Sequence, residues 1–298
     1  MDRVTNAALS QRMLAANQRT LARMATYQEQ LATGKRVNQV SDDPVAAKIA
    51  MRYRAEDQQV GKYLDNVGKA MAFTTATDTT LGEMSATFDQ VKALAVQGAN
   101  GSQDAASRRA LAAAVDSHLQ RMVDLGNTVH DGRAIFGGTA VLDAPFALAA
   151  DGSAVAYAGN LDTFEVAVGA GATAVVNENG FALFQGGPVD VFRTLIDLRD
   201  ALRANDTDDI VANLGAIDAA QDHLNNLHGQ LGGRMQRLEL TRSQLEGSRI
   251  YLGDLVSQAE DADMPAVISR MQLAETALQA GLQSGARVVQ QTLLDFLR

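Results

Sequence analysis

The chain has 298 residues, 46% of them apolar, so it is long enough and apolar enough to bury a core. Its 26 Lys and Arg against 35 Asp and Glu give a net charge of -9, which disfavours nucleic acid because phosphate binding needs a basic face. The absence of cysteine excludes disulfides, thiolate metal sites and cysteine nucleophiles.

No targeting or membrane segment is predicted from the hydropathy of the chain. The first thirty residues contain no apolar run of seven or more, so a Sec-type signal peptide is not expected. No later stretch approaches the roughly 18 apolar residues of a membrane span. These rules alone predict a soluble, cytoplasmic protein with no membrane insertion.

The N-terminal segment is predicted to be an amphipathic helix that stops near residue 33. Its apolar stripe consists of Leu14, Leu21, Met24 and Leu31. The following stretch, GKRVNQVSDDP, runs from Gly34 to Pro44 and predicts a break between two helices, because proline is tolerated in a first helical turn. Asp42 and Asp43 are expected to cap the new helix and to favour its positive end.

Two long segments carry an apolar residue at every seventh position, which predicts helices packed lengthwise. One runs from Tyr53 to Ala95. In the other, the repeat consists of Ile210, Ile217, Leu224, Leu231, Leu238, Leu245, Leu252 and Ala259. That second helix would be about 70 Å long. A compact chain of this size has a radius of gyration near 19 Å, which corresponds to a diameter of roughly 50 Å. An elongated rod is therefore predicted.

A third, shorter helix is predicted after the turn GANGS at residues 98–102, whose Asn-Gly pair tolerates positive φ. Its stripe follows a 4-3-4-3-4 spacing and consists of Leu111, Val115, His118, Met122, Leu125 and Val129.

The middle of the chain, residues 137–187, is rich in glycine and contains short β-prone runs. These runs are Phe164 to Val168, Thr173 to Val176 and Phe181 to Phe184. Turn signals between them predict a small antiparallel β domain. Helix is expected to resume with Pro188 in its first turn.

The C-terminal segment is a second terminal helix, and a break at AEDADMP, residues 259–265, precedes it. Its stripe includes Val267, Met271, Ala274, Leu278, Leu282, Val289, Leu293 and Phe296. Pro265 lies in its first turn, as Pro44 does after the first break. Both breaks are expected at the same height, with the terminal helices paired beyond a hinge. The alternative is that both ends fold back onto the rod.

The predicted fold class is therefore mainly α with a small β insertion. It combines a rod of long antiparallel helices, paired terminal helices and a central antiparallel β domain. The expected divisions are residues 1–43 with 260–298, residues 44–136 with 188–259, and residues 137–187.

No catalytic, cofactor or metal site is predicted. GAGATA, residues 169–174, matches Gly-x-Gly-x-x-Ala, but the residues that follow favour strand and turn rather than a phosphate-binding helix. His118 lies on a core stripe, and His223 and His228 are poorly spaced for one metal on one helical face. Asp206, Asp208 and Asp209 are interpreted as a helix cap with an acidic first turn rather than a calcium site.

Three stretches carry a resemblance to a known family: ATGKRVNQVSDDPVAAKIA at 32–50, FDQVKALAVQGANGS at 88–102, and the tail ending QQTLLDFLR. They resemble the bacterial flagellin family over residues 1–136 and 190–298. GRAIFGG at 132–138 and LLDFL near the end are more similar to the family's hook-filament junction proteins than to filament flagellins. The final Arg298 is more similar to filament flagellins, so a filament flagellin is the alternative.

The resemblance implies a structural protein, not an enzyme, which polymerises into a ring and is secreted through an N-terminal type III export signal. Its implied location is the extracellular flagellum. The implied partners are further copies of itself, hook-associated protein 1, flagellin, an export chaperone and the export apparatus. It also implies that the terminal helices, disordered in the free monomer, form the inner wall of a tube.

The implied assembly residues lie on both terminal stripes. They are Leu14, Leu21, Met24, Leu31, Met271, Leu278, Leu282, Val289, Leu293 and Phe296. The expected hinge residues are Gly34, Asp42, Asp43, Pro44 and Pro265.

Overall fold

The computed structural model describes the backbone of residues 6–296 and the side chains of residue 8 and residues 11–286. In chain order the helices are α1 (Asn6–Thr33), α2 (Pro44–Ala99), α3 (Ala105–Gly126), α4 (Gly180–Phe184), α5 (Val191–Ala204), α6 (Thr207–Glu260) and α7 (Met264–Phe296). The strands are β1 (Val129–His130), β2 (Arg133–Ala134), β3 (Phe146–Leu148), β4 (Val155–Tyr157), β5 (Glu165–Gly169) and β6 (Ala172–Val175). The mainly helical fold with a small β region is confirmed.

The chain divides into two compact units. The smaller unit combines residues 1–59 and 248–298, and the larger unit is residues 60–247. Each unit has its own apolar contacts. The rod shape and the three predicted domain boundaries stay predictions.

The seven-residue repeat of α6 forms part of the core of the larger unit. Ile210, Ile217 and Leu224 are at most 1% exposed, and Leu231 and Leu238 are also buried. On α2, Leu81, Phe88 and Ala95 of the predicted repeat are buried as well. The prediction that apolar heptad positions mark the packed face is confirmed here, because a period of seven keeps one stripe facing its partner.

The β region consists of three separate two-stranded antiparallel hairpins: β1 with β2, β3 with β4, and β5 with β6. The last hairpin confirms two predicted strands to within one residue at each end. Gly171 adopts φ +77° in its turn, so the Gly-x-Gly pattern of residues 169–171 belongs to a hairpin and not to a nucleotide loop.

The third predicted strand, Phe181 to Phe184, is wrong because these residues form α4. The Asn179 side chain accepts a hydrogen bond of 3.1 Å from the Ala182 amide, which is an N-cap interaction. The helical turn also directs Phe184 into a fully buried cluster of aromatic rings. Its neighbours there are Phe136, Phe146 and Phe192.

The third helix ends at Gly126, earlier than the predicted stripe that extended to Val129. Asn127 forms its C-cap and exchanges two 2.8 Å hydrogen bonds with the backbone of Phe146, which pulls the chain out of the helix. Val129 is exposed in β1, and Leu119 occupies the buried position that the stripe assigned to His118.

The fifth helix begins at Val191, so Pro188 precedes it instead of lying in its first turn. Asp190 is the N-cap, and its carboxylate accepts a hydrogen bond of 2.8 Å from the Arg193 amide. The first amides of a helix have no partner within the helix, and the Asp190 carboxylate accepts from one of them. Pro188 has no side-chain acceptor and could not take this role.

The expected cap of α6 is confirmed. The Asp206 carboxylate accepts hydrogen bonds from the amides of Asp208 and Asp209, at 3.0 and 3.1 Å. The carboxylates of Asp208 and Asp209 lie in the first turn, where the helix dipole favours negative charge.

Candidate functional site

The terminal helices α1 and α7 pack against each other in the smaller unit. The less exposed positions of both helices follow a 4-3-4-3-4 spacing, which defines a seam of the coiled-coil type. On α1 these positions are Met13, Asn17, Thr20, Met24, Tyr27 and Leu31. On α7 they are Val267, Met271, Ala274, Leu278, Gly281 and Gly285.

Gly281 marks a close approach of the two helices. A Cβ atom added at Gly281 would overlap the side-chain amide of Asn17 on α1. Gly285 lies one turn further along α7, and no heavy atom of the described residues comes within 4 Å of a Cβ atom added there. At Gly281 the absence of a side chain on α7 therefore makes room for the side chain of Asn17 on α1.

The predicted assembly residues separate into two groups. Met24, Leu31, Met271 and Leu278 lie on the seam. Leu14, Leu21 and Leu282 lie beside it and are 60%, 52% and 57% exposed. Val289, Leu293 and Phe296 have side chains outside the described residues.

Two further exposed apolar residues of α7 were absent from the predicted set. Leu273 is 70% exposed and Ile268 is 46% exposed. Large apolar side chains recurring on one exposed helix pair are typical of a surface that a partner covers.

The first break, residues 34–43, is bounded by a glycine that ends α1 and by an aspartate that caps α2. Gly34 adopts φ +73°, which stops α1, and its amide still bonds to the Gln30 carbonyl at 2.8 Å. Asp43 caps α2 by accepting a hydrogen bond of 3.0 Å from the Ala46 amide. That hydrogen bond, followed by one from Arg36, holds the pKa of Asp43 below its usual value.

Asp42 does not cap α2, so that part of the prediction is wrong. Its carboxylate accepts hydrogen bonds from the amides of Asn38 and Gln39, at 3.0 and 2.8 Å. Asp42 therefore folds the break into a turn, because an aspartate readily bonds to nearby amides that face away from any helix.

The second break, residues 261–263, has the same ending as the first. Asp263 caps α7 by accepting a hydrogen bond of 3.1 Å from the Ala266 amide. Pro265 is the second residue of α7, where its missing amide hydrogen removes no helical bond.

The two breaks lie side by side. This confirms the prediction that the chain leaves and re-enters the long helices at the same level. Lys35 and Asp261 form an antiparallel bridge. The amides of Arg36 and Val37 donate to the Glu260 carbonyl at 2.6 and 3.2 Å, and the Ala262 amide donates to the Gly34 carbonyl at 2.9 Å. The break residues thus satisfy carbonyl groups that α6 leaves open at its end.

Glu260 lies at the centre of this arrangement and is 5% exposed. Its carboxylate pairs with Lys35 at 3.2 Å and with Arg54 of α2. These three residues form what we call the Glu260 cluster. A buried carboxylate needs such partners, because an unpaired buried charge is strongly unfavourable.

Arg36 adds a second connection between the first break and the end of α6. Its guanidinium donates to Asp43 at 3.0 Å and to the Ala259 carbonyl at 2.9 Å. A cleft of about 400 Å³ opens beside these groups, and its lining includes the apolar residues Val37, Val40 and Met51.

Sequence reasoning missed Lys35, Arg36, Arg54 and Glu260. Only the positions of Lys35 and Arg36 inside a break, and of Glu260 at the end of a helix, could have drawn notice. Arg54 lies mid-helix, and nothing in its neighbourhood distinguishes it from a solvated arginine.

The histidines and carboxylates offer no evident chemistry in the described residues. Burial, followed by the charge of Arg121, lowers the pKa of His118. His223 bonds to the Leu183 carbonyl at 2.7 Å, and His228 lies 3.4 Å from Asp78. Within residues 6–296 no three His, Cys, Asp or Glu residues form a group that could hold a metal, and no helix is long and apolar enough to cross a membrane.

Two family models match the two helical arms of the chain. The model of the bacterial flagellin N-terminal helical region matches residues 4–141, and that of the C-terminal helical region matches residues 214–297. Together they cover most of the chain, including the terminal pair and both breaks. The chain belongs to the flagellin family.

Flagellar proteins of other bacteria are similar over more than four fifths of both chains. Flagellar hook-associated protein 3 of Escherichia coli is 26% identical over 286 residues, covering 87% of this chain and 88% of the relative. A flagellin of Listeria innocua is 26% identical over 254 residues, covering 83% and 82%. The crystal structure of hook-associated protein 3 from Legionella pneumophila shares the fold, with a TM-score of 0.63 at 14% identity over 70% of this chain and 98% of that one.

Proposed function

We propose that this chain is a structural adapter of the bacterial flagellum that polymerises into a ring at the hook-filament junction. The observation that carries the proposal is the similarity to a hook-associated protein 3 over 87% of this chain and 88% of that protein. GRAIFGG at residues 132–138 and LLDFL near the C-terminus support the same branch of the family.

The terminal pair supplies the assembly surface in this proposal. Leu14, Leu21, Leu273 and Leu282 are more than half exposed, so a single copy leaves much apolar area in water. Burying apolar surface is favourable at roughly 25 cal/mol per Å², and neighbouring copies would provide that burial. The seam residues Met24, Leu31, Met271 and Leu278 hold the two helices together within each copy.

The remaining predictions form part of the same proposal. Residues 1–43 and 260–298 act as the assembly region, and the breaks at Gly34 to Pro44 and before Pro265 act as hinges. The partners are hook-associated protein 1 on one side, flagellin on the other, and an export chaperone before secretion. The protein is exported through the type III apparatus and functions outside the cell.

Deletion of the gene, followed by electron microscopy of the cell surface and an assay of flagellin in the medium, tests the proposal. Bare hooks with abundant shed flagellin are expected, because filament subunits would be exported but could not attach. Bare hooks with the major extracellular protein itself missing would identify the chain as a filament flagellin, consistent with the similarity to the Listeria protein. Intact filaments would contradict both functions.

A further inference from the structure

We propose that Glu260 is a positioning residue that makes the two helix breaks act as one element. Through it, the directions of α1 and α7 are set together with respect to the adjoining ends of α2 and α6. This inference concerns the terminal pair as an assembly surface and so rests on the proposed function.

Glu260, the last residue of α6, contacts both the first break and the helix α2 that follows it. Its carbonyl accepts the amides of Arg36 and Val37, which lie in the first break. Its carboxylate pairs with Lys35, also in the first break, and with Arg54 on α2. One residue at the end of α6 therefore holds both the path of the first break and the start of the helix that follows it.

The burial of Glu260 distinguishes it from the other ion pairs of the smaller unit. Its side chain is 6% exposed, whereas Lys35 and Arg54 are 40% and 46% exposed. The pair of Arg249 and Asp57, in the same unit, is exposed on both sides at 51% and 36%. Exposed pairs of that kind contribute little to stability. Loss of the Glu260 cluster is therefore expected to loosen the breaks, whereas loss of an exposed pair is not.

The geometry predicts coupled opening of the two breaks. If the Glu260 side chain is made uncharged, the partners Lys35 and Arg54 are accessible enough to hydrate separately. The first break then keeps the hydrogen bond from the Arg36 side chain to the Ala259 carbonyl as its side-chain connection to α6. The Ala262 amide bonds to the Gly34 carbonyl on the opposite side of the same bridge. Loosening one break thus removes the hydrogen-bond partners of the other.

Amide hydrogen exchange of the full chain, read at Arg36, Val37 and Ala262, tests this inference. Glu260→Gln keeps the size of the side chain and removes its charge, and it is expected to speed exchange at all three amides by about tenfold or more. Glu260→Asp keeps the charge and should lie closer to the unmodified chain. Asp57→Asn is the matched control and should leave the three amides unchanged.

Three results would overturn the inference. They are unchanged exchange in Glu260→Gln, faster exchange on only one side of the bridge, or fast exchange of all three amides in the unmodified chain. Amides of the larger unit, such as Gly180 and Asn127, report whether a variant has failed to fold. These readouts use the isolated chain, so they stay valid if deletion of the gene contradicts the junction function.

The consequence for assembly is tested separately. If the inference holds, cells carrying Glu260→Gln should export the protein at normal levels but show filaments that detach more often than those of Asp57→Asn cells. Equal attachment in the two strains would contradict a positioning role.

Discussion

Lys35 and Asp261 are paired in an antiparallel bridge although they lie in opposite arms of the chain. The bridge brings together the two places where the helices stop. On one side of it the Ala262 amide bonds to the Gly34 carbonyl, and on the other the amides of Arg36 and Val37 bond to the carbonyl of Glu260, the last residue of α6. The two arms are therefore connected where α1 and α6 end.

A disulfide is expected to form between cysteines placed at these two positions. Bridge partners have Cα atoms about 4.5–5.5 Å apart, within the range that a disulfide requires. The chain has no native cysteine, so Lys35→Cys with Asp261→Cys would contain one possible pair. Non-reducing electrophoresis and thiol titration after mild oxidation measure the product. Lys35→Cys with Asp254→Cys is the control, since Asp254 lies about 10 Å further back along α6 and should remain reduced.

Leu278→Asp is expected to leave the larger unit folded and to abolish assembly. Leu278 lies on the seam, where an unpaired carboxylate would cost several kcal/mol. Filament attachment and swimming, measured in cells that lack the native gene, report the effect. The neighbouring exposed residue Gln279 provides the control Gln279→Asp, which should behave normally. Normal swimming with Leu278→Asp would contradict the role of the seam in assembly.

Gly281→Ala and Gly285→Ala should differ, although both add one methyl group to α7. Alanine favours a helix over glycine by up to about 1 kcal/mol, and among the described residues no heavy atom lies within 4 Å of a Cβ atom at Gly285. At Gly281 the Cβ atom would overlap the Asn17 amide and should cancel that gain. Helix content and protease resistance of the terminal pair measure the difference. Adding Asn17→Ala to Gly281→Ala should restore the gain, and failure to do so would show that Asn17 is not the obstacle.

Arg108→Met is expected to destabilise the larger unit by more than about 2 kcal/mol. The buried guanidinium donates to the Gly98 carbonyl at 2.8 Å, to the Asn205 side chain at 2.7 Å and to the Asn100 carbonyl at 3.2 Å. Removing it leaves the buried Gly98 carbonyl without this donor, which costs about 1–3 kcal/mol, and also removes the charge-assisted hydrogen bonds to the exposed residues Asn100 and Asn205. The urea midpoint of unfolding gives the measurement. Arg109→Met, at the adjacent exposed position, should change the midpoint little.

Acid should loosen the start of α2 through Asp43. The pKa of Asp43 is lowered in the folded chain, so its stabilising contribution is present above the usual value of 3.8. That contribution is lost as the pH falls below 3.8 through the lowered folded-state pKa. Exchange of the Ala46 amide, followed by NMR as the pH is lowered, should show this loss. Asp43→Asn keeps a capping oxygen that does not titrate, so its Ala46 amide should lack the pH-dependent step.

Much of the helical framework could be predicted because its signals are periodic or local. Ile217, Leu224 and Leu231 are buried as a repeat of seven requires, since that period fixes one face of a helix whatever its partner is. The end of α3 could not be predicted in this way. The hydrogen bonds between Asn127 and Phe146 decide it, and residues 19 positions apart in sequence give no local pattern.

By itself, the sequence determined where the terminal helices stop and restart. Gly34, Pro44 and Pro265 act through their own backbone geometry, and Asp43 through an amide three residues away, so no distant contact is needed. Only the tertiary structure decided which side chains connect the two breaks. Glu260 is indistinguishable from any glutamate at a helix end until Lys35 and Arg54 lie beside it, because burial and charge pairing are properties of residues that folding brings together.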